Sequence, residues 1–215
     1  NYFKLTYTIE NNTTHETIPF DYYYDTYALT FIIKGEGTCS VEGNTYTISD
    51  GDIIILSPDE IRSFKFKDAE YHERLSYFGK ANVTLVGPES DYGDKVLIYW
   101  TNLNAWNGST RSRPTFVWQG GNLTLKNITF KNTTDRYVVG KDGTQAETLN
   151  FDVKNYLVAN NCSFLSHQDT LILGNNGGRC WFYDCYIEGD TDFLWGTADV
   201  ALFEECKFKT LNDDN

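Results

Sequence analysis

A short motif that recurs four times in the second half of the chain restricts the fold more than any other feature. In each copy a polar residue is followed at once by a small or apolar residue, and two positions later by a larger apolar residue. The polar positions are Asn127, Asn161, Asp184 and Glu205, the next positions are Ile128, Cys162, Cys185 and Cys206, and the larger residues are Phe130, Phe164, Ile187 and Phe208. The copies are 34, 23 and 21 residues apart, and such spacings are typical of a solenoid in which each repeat forms one coil.

The segments around these motifs favour strands over helices. NVTLVG, VLIYW, NLTLKNITF and CWFYDCYIEG are short, rich in β-branched and aromatic residues, and without a helical period. We therefore predict an all-β fold containing a β-solenoid whose coils stack about 4.8 Å apart. The 34-residue spacing leaves room for an excursion from the coil, and excursions often carry function.

Two aspartates occupy equivalent positions on successive coils. Asp169 follows Phe164 by five residues, and Asp192 follows Ile187 by the same number. Equal offsets predict that both carboxyl groups lie on one side of the solenoid, about 5–7 Å apart. Two carboxylates at that distance do not both ionise freely, so one pKa should rise and the other should fall. Such a pair can divide the roles of acid and nucleophile.

Amide and aromatic side chains accompany the two aspartates. Gln168 directly precedes Asp169, and Gln145 lies one longer turn earlier in the segment GTQAETLN. A side-chain amide can donate a hydrogen bond to an oxyanion, and the loss of one such donor raises a reaction barrier by about 3 kcal/mol. The aromatic residues predicted to stack on sugar rings are Phe193, Trp195 and Trp181.

From residue 80 to residue 215 the chain resembles the pectin methylesterases, carbohydrate esterases that form a right-handed parallel β-helix. The resemblance rests on the ordered segments NVTLVG, DYGDKVLI, FVWQGGNLTLKNITFKN, GTQAETL, CSFLSHQDTL, FYDCYIEGDTDF and ALFEEC. It implies that Asp192, in a DF-x-x-G motif, attacks the methyl ester carbonyl of a galacturonate unit in pectin. Asp169, in QDT, would protonate the departing methanol and then activate the water that cleaves the acyl-enzyme.

The same resemblance assigns further roles. Gln145 and Gln168 would hold the oxyanion, Phe193 and Trp195 would contact the sugar chain, and no metal or cofactor is required. It also implies an extracellular location, although no signal peptide is visible in the chain. Members of the family place an Arg, followed by Pro-Trp, on a coil beyond the nucleophile, and the matching sequence ends before such a motif. We therefore expect a β-helix that is truncated at both ends relative to the family.

The first half of the chain has a different pattern and is predicted to form a separate small antiparallel β-domain over residues 1–78, with the solenoid over residues 79–215. The strands LTFIIKGEGT, VEGNTYTI and DGDIIILSPDEI, followed by YHERLSYF, resemble the cupin-like sugar-sensing domain of AraC-type regulators. One interpretation is a small-molecule pocket lined by Tyr22, Tyr23, Tyr24 and Arg62. The other is a structural β-domain with exposed tyrosines. Because a solenoid needs capped ends, we also expect this half of the chain to abut the first coil and shield it.

Composition limits the partners. A net charge of −12 argues against a broad basic face for nucleic acid, and no apolar run reaches the ~20 residues of a membrane span. Five cysteines and three histidines, without a Cys-x-x-Cys pair, argue against a structural zinc site. Cys185 and Cys206 fall in one column on successive coils, where either buried thiols or a disulfide is compatible with the spacing. Of these two alternatives, we predict a Cys185–Cys206 disulfide.

Two classes of function compete with ester hydrolysis at this point. A solenoid that binds pectin without cleaving it would bind the polymer and release no methanol. A sugar-sensing fragment led by the first half would bind a free monosaccharide and would not depend on Asp192. Polysaccharide lyases on this scaffold generally need calcium and a basic residue in the cleft, which QDT and DTDF do not match.

Overall fold

The computed structural model describes the backbone of residues 28–31, 37–41, 44–48, 53–56, 62–66, 68–140, 143–174 and 177–211. The first strands are β1 (Ala28–Phe31), β2 (Gly37–Val41), β3 (Asn44–Ile48) and β4 (Ile53–Leu56). The following strands repeat in threes: β5 (Arg62–Phe66), β6 (Ala69–His72) and β7 (Leu75–Tyr77); β8 (Val83–Val86), β9 (Val96–Trp100) and β10 (Phe116–Trp118); β11 (Leu123–Lys126), β12 (Thr129–Asn132) and β13 (Leu149–Phe151). The series continues with β14 (Tyr156–Asn160), β15 (Ser163–Leu165) and β16 (Leu171–Leu173); β17 (Arg179–Tyr183), β18 (Tyr186–Gly189) and β19 (Leu194–Gly196); β20 (Val200–Glu204) and β21 (Lys207–Thr210).

Strands β5 to β21 wind into a right-handed parallel β-helix, which confirms the predicted solenoid. Each coil gives one strand to each of three sheets. Sheet 1 has the order β20-β17-β14-β11-β8-β5 and continues into β2-β3, sheet 2 has the order β21-β18-β15-β12-β9-β6, and sheet 3 has the order β19-β16-β13-β10-β7. Neighbouring coils pair in parallel, as in the register Leu149↔Leu171↔Leu194 of sheet 3. Equivalent residues of successive coils therefore lie directly above one another.

The repeated polar residue forms the corner between sheets 1 and 2. The corner residues all have a left-handed backbone, with φ values of 55°, 51°, 50° and 56° at Asn127, Asn161, Asp184 and Glu205. Asn and Asp adopt this conformation more readily than other residues with a side chain. At two neighbouring corners the side chains also bond to each other, because Asn161 Nδ2 donates to Asn127 Oδ1 at 2.9 Å. The polar repeat in the sequence is thus the repeat of a sharp turn.

The larger apolar residue of the motif points into the solenoid. Phe130 and Phe164 pair in register, and their rings stack with centroids 5.8 Å apart and planes inclined by 10°. Both side chains are completely buried, as is Ile187 on the next coil. Burial of a side chain of this size contributes about 1.5–3 kcal/mol, so the column of apolar residues holds successive coils together.

The solenoid begins before the predicted boundary at residues 78 and 79. Strand β5 pairs in parallel with β8, β6 with β9 and β7 with β10, so residues 62–77 form a coil. The boundary was misplaced because short alternating strands fit an antiparallel domain and a coil equally well. Tyr22, Tyr23 and Tyr24 lie outside the described residues, as does the side chain of Arg62.

The hairpin β2–β3 adds to the outer edge of this first coil. Strand β2 pairs antiparallel with both β3 and β5. The backbone groups on that side of β5 are therefore hydrogen-bonded rather than left as an open edge. This pairing has the arrangement expected if the first half of the chain shields the solenoid.

Two excursions leave the coil between sheets 2 and 3. The first spans residues 101–115, and the second spans residues 133–148 and contains the short helix α1 at Arg136–Val139. The second excursion accounts for the 34-residue repeat, as predicted. No helix among the described residues is long and apolar enough to cross a membrane.

The predicted Cys185–Cys206 disulfide is wrong, because both residues are free thiols. Cys185 Sγ donates to the Tyr183 carbonyl at 3.3 Å, and Cys206 Sγ donates to the Phe182 carbonyl at 3.4 Å. Equivalent side chains on parallel coils point the same way and are separated by the coil spacing of about 4.8 Å. A disulfide needs Cβ atoms about 3.8 Å apart, so the thiols pack as small apolar groups.

Candidate active site

The two aspartates lie at the turn that leads from sheet 2 into sheet 3. Each precedes its sheet 3 strand by two residues, since Leu171 of β16 pairs with Leu194 of β19. The Asp169 backbone N–H donates to the Thr191 carbonyl on the next coil at 3.0 Å, which places Asp169 and Asp192 one coil spacing apart along the backbone. Both have a left-handed backbone, with φ of 63° and 48°. Such strain in residues with a side chain concentrates at functional sites.

Local sequence maintains this turn. Thr170 follows Asp169 and is fully buried, and its hydroxyl donates to the Glu188 carbonyl at 2.9 Å. Gly196, which ends the DF-x-x-G motif, has φ of 130°, and a Cβ there would lie 2.1 Å from the Leu173 carbonyl oxygen. Only glycine allows this close approach of the strand that follows Asp192. The motif residues therefore serve the geometry of the turn as well as its chemistry.

The two carboxyl groups differ in their surroundings. Asp169 is buried, with 6% of its surface exposed, whereas Asp192 is exposed. Burial, followed by the negative charge of Glu147, raises the pKa of Asp169 to about 7, and Asp192 adds a smaller contribution in the same direction. Asp169 therefore retains a proton that it can donate near neutral pH, while the side chain of Asp192 is open to solvent.

The two predicted amides lie on the coils beside Asp169. The Ala146 backbone N–H donates to the Gln168 carbonyl at 3.1 Å, so the segment that carries Gln145 runs directly above Gln168. The Thr144 hydroxyl donates to Gln168 Oε1 at 3.0 Å. This contact turns the amide nitrogen of Gln168 away from Thr144 and makes it available as a donor.

Gln145 has an unusual feature for a half-buried side chain. Its Oε1 atom is buried and makes no hydrogen bond to any of the described residues. An unpaired polar atom of this kind in a protein interior requires a reason, and a ligand or water that approaches the amide is one. The structure thus places Gln145, Gln168, Asp169 and Asp192 on adjacent coils, and their roles stay a prediction.

The three predicted aromatic contacts divide between two places. Trp195 lies on β19 three residues after Asp192 and is 37% exposed, while the half-buried Phe193 packs against the core cluster. Trp181 lies on β17 in sheet 1, where its Nε1 donates to Glu204 Oε2 at 3.2 Å. The structure does not bring Trp181 to the aspartate turn. The prediction failed there because position in the sequence does not reveal which of the three sheets a residue joins.

An ion pair behind Asp169 was not predicted. Glu147 and Arg113 are both buried; Arg113 Nε donates to Glu147 Oε2 at 2.5 Å, and Arg113 Nη2 donates to Glu147 Oε1. Glu147 stands two residues before β13, just as Asp169 stands two before β16. The signal is present in the sequence as ETL, DTL and DFL on three coils, but Arg113 gives no local indication of its partner.

A second unpredicted cluster ties α1 to the turn that carries Asp192. Arg136 Nη1 donates to Asp190 Oδ1 at 2.5 Å and to the Thr191 hydroxyl oxygen at 2.6 Å. His167 Nδ1 lies 3.2 Å from Asp190 Oδ2. Burial opposes ionisation of Asp190, but the Thr191 backbone N–H and the Arg136 guanidinium together lower its pKa. The excursion is thus anchored by a charged group to the residues that directly precede Asp192.

At one turn of this parallel β-helix, a buried carboxyl group, an exposed carboxyl group and two amides thus lie on adjacent coils. The sequence model of the family described as Pectinesterase matches residues 42–214. The chain belongs to the pectinesterase family. The matched range includes residues 42–78 of the region predicted to be cupin-like, and the resemblance to AraC-type regulators stays a prediction.

Curated relatives and solved structures agree with this membership. Putative pectinesterase 14 of Arabidopsis thaliana is 33% identical over 121 residues, which are 56% of this chain and 35% of that protein. Probable pectinesterase/pectinesterase inhibitor 32 of the same plant is 29% identical over 183 residues, which are 83% of this chain and 31% of that protein. The pectin methylesterase of Aspergillus niger superposes with a TM-score of 0.62 at 27% identity, over 72% of this chain and 49% of that one.

A structure at lower identity shows the fold alone. Pectin methylesterase from Yersinia enterocolitica has a TM-score of 0.59 at 23% identity, over 71% of this chain and 51% of that one. The chain spans about a third of the length of these two curated relatives and about half the length of these two solved structures.

Proposed function

We propose that the chain hydrolyses methyl esters of galacturonate units in pectin and releases methanol. The observation that carries the proposal is the difference between two carboxyl groups at the turn into sheet 3. Asp169 is buried and has a raised pKa, whereas Asp192 is exposed one coil away. A hydrolysis through an acyl-enzyme needs both a protonated acid and a charged nucleophile, and this turn supplies one of each.

The reaction follows from the positions of these groups. Asp192 attacks the ester carbonyl, and the oxygen that becomes negative accepts hydrogen bonds from the amides of Gln145 and Gln168. The proton of Asp169 passes to the methoxy oxygen as the carbon–oxygen bond breaks, so methanol leaves and an acyl-enzyme anhydride remains. Asp169, now ionised, removes a proton from water, which attacks the carbonyl and restores Asp192. The exposed ring of Trp195 and the half-buried ring of Phe193 contact the sugar chain.

The substrate and the location belong to the same proposal. Pectin is a polysaccharide of the cell wall, so we place the reaction outside the cell. The family resemblance requires no metal or cofactor, and all the chemical groups of the mechanism come from the chain itself. The resemblance of residues 1–78 to a sugar-sensing domain remains a separate prediction, which saturable binding of a free monosaccharide would test.

Replacement of the nucleophile tests the proposal. In Asp192→Asn the nucleophilic carboxylate is lost, and we expect methanol release from methyl-esterified pectin to fall at least about 10³-fold. Asn adopts the left-handed backbone that Asp192 requires (φ 48°), so the fold is expected to persist.

Asp184→Asn is the matched control, because Asp184 has a similar φ of 50° but forms a corner between sheets 1 and 2. It should retain wild-type activity. Absence of methanol release by the folded wild-type chain, together with binding of pectin, would favour the non-catalytic binding solenoid instead.

A further inference from the structure

Three acidic side chains, not two, form the column at the turn into sheet 3. Glu147, Asp169 and Asp192 each stand two residues before a strand of that sheet, on three successive coils. Glu147 has none of its surface exposed, so it cannot contact a polymer that lies along the outside of the solenoid. Its position directly above Asp169 makes it a neighbour of the proposed acid rather than of the substrate.

Glu147 is held from several directions. Arg113 binds both of its carboxylate oxygens, and Arg113 Nη1 donates to Asn104 Oδ1 at 2.5 Å. The Glu147 carbonyl accepts hydrogen bonds from the Thr115 backbone N–H at 3.0 Å and from Asn132 Nδ2 at 3.2 Å. These contacts leave the carboxylate little freedom to move or rotate.

An ion pair as deeply buried as this one is poorly explained by stability alone. The desolvation of two charges typically offsets the attraction between them, and apolar residues of similar volume are often at least as stabilising. A fixed negative charge in a region of low dielectric acts strongly on an adjacent carboxyl group. The pair therefore has an electrostatic consequence at Asp169 whatever its effect on stability.

We propose that Glu147 is a positioning residue that keeps Asp169 in its protonated form as the acid of the reaction, and that Arg113 fixes Glu147 in place. This inference rests on the proposed function for its catalytic meaning. The pair acts through Asp169 and touches neither the substrate nor the reacting atoms.

The charges that surround Asp169 give the direction of the effect. Burial and the negative charges of Glu147 and Asp192 favour the protonated form, while Arg113 and Arg136 oppose it, and Glu147 is the largest of the charged contributors. The remaining ionisable groups of that neighbourhood are Asp190, which pairs with Arg136, and His167, whose Nδ1 lies 3.2 Å from Asp190 Oδ2. Loss of the Glu147 charge should therefore lower the pKa of Asp169, and loss of the Arg113 charge should raise it.

Paired neutral substitutions test the inference. Glu147→Gln removes the negative charge and is expected to move the descending limb of the pH profile of kcat/KM to lower pH by about one unit. Arg113→Gln is made only together with Glu147→Gln, because alone it would leave a buried carboxylate unpaired. The limb of the double variant should lie between those of the wild type and Glu147→Gln. KM should change little, because neither side chain touches the substrate. Glu204→Gln, which neutralises an exposed carboxylate on sheet 1, is the control and should leave the limb unchanged.

A second measurement does not depend on activity. The carboxyl carbon of Asp169 is titrated by NMR in the wild-type chain and in each folded variant, with folding checked by circular dichroism because a single substitution leaves a buried charge unpaired. If Glu147→Gln does not fold, the double variant carries the test, and its Asp169 pKa should lie below that of the wild type.

The outcomes separate the two proposals. A limb and an Asp169 pKa that both move to lower values in Glu147→Gln support the inference, whereas no shift, or a shift to higher values, overturns it. In the double variant, an Asp169 pKa at or above the wild-type value overturns it. Absence of methanol release by the wild-type chain, with the NMR shifts as expected, would overturn the proposed function and leave the electrostatic role of Glu147 supported.

Discussion

Asp169 has a buried carboxyl group with a raised pKa, and this affects stability as well as chemistry. In the folded chain its pKa is raised to about 7, whereas an aspartate in an unfolded chain has a pKa of about 3.9. Between these values the folded state binds a proton that the unfolded state has released. The free energy of unfolding therefore decreases as pH rises from about 4 to about 7, and Asp169 is most destabilising above that range.

A neutral residue of the same shape should remove this penalty. Asp169→Asn keeps the shape of the side chain and tolerates the left-handed backbone, so we expect it to melt at a higher temperature than the wild type at pH 8. The gain should be about 2–4 °C for each kcal/mol recovered and should shrink towards pH 5. Thermal unfolding of both proteins at the two pH values measures it. A variant that is less stable than the wild type at both values would contradict the assignment of Asp169 as a strained acid.

At the scale of the structural element, the corner between sheets 1 and 2 depends on the side chain of Asn161. Its Oδ1 accepts from the Tyr92 backbone N–H at 2.7 Å, and its Nδ2 donates to the Ser90 carbonyl at 2.6 Å and to Asn127 Oδ1 at 2.9 Å. The same residue has φ of 51°. One side chain thus fixes the corner of its own coil, the corner of the coil above, and the segment between β8 and β9.

Two substitutions separate the hydrogen bonds of this corner from its backbone strain. Asn161→Ala loses all three side-chain bonds and adopts a left-handed conformation that alanine disfavours, so we expect a loss of about 2–4 kcal/mol in the free energy of unfolding. Asn161→Gly loses the same bonds without the conformational penalty and should be more stable than the alanine variant by about 1 kcal/mol. Urea denaturation measures both values. Equal stability of the two variants would show that the left-handed backbone imposes no strain at this corner.

At the scale of the whole molecule, stability is a sum over neighbouring coils. Each coil packs on the one above and the one below it, as neighbouring repeats of a solenoid do. Phe164 lies between Phe130 and the coil that carries Ile187 and is completely buried, whereas Phe208 on β21 is 47% exposed. The two phenylalanines thus occupy equivalent positions, but Phe164 packs on two sides and Phe208 packs on one.

Truncation of these two rings should show how the contribution of a side chain to the free energy of unfolding changes along the solenoid axis. Phe164→Ala should lower the free energy of unfolding by about 3–5 kcal/mol, because the cavity cannot collapse between two coils. Phe208→Ala should lower it by less, about 1 kcal/mol. Chemical denaturation of the same chain with each substitution measures both. Similar losses at the two positions would mean that β21 packs as tightly as the central coils.

Features that recur from coil to coil can be predicted from the sequence alone. The corner residues, the inward apolar column and the equal offsets of Asp169 and Asp192 all follow from a period of one coil, since parallel stacking places equivalent positions above one another. The amides at positions 145 and 168 follow from the same reasoning combined with the family resemblance. These inferences need only the order of residues within a coil and the spacing between coils.

Tertiary structure alone decided the features that join distant positions. The ion pair of Arg113 with Glu147 spans 34 residues and that of Arg136 with Asp190 spans 54, and both depend on how an irregular excursion folds back onto the coil. The fold also decides which sheet carries Trp181. The stacked cysteines stay free thiols because their side chains point the same way on successive coils. Periodicity in a sequence records which positions are equivalent, but excursions have no period, so the environment of Asp169 emerges only when the excursions pack against the turn.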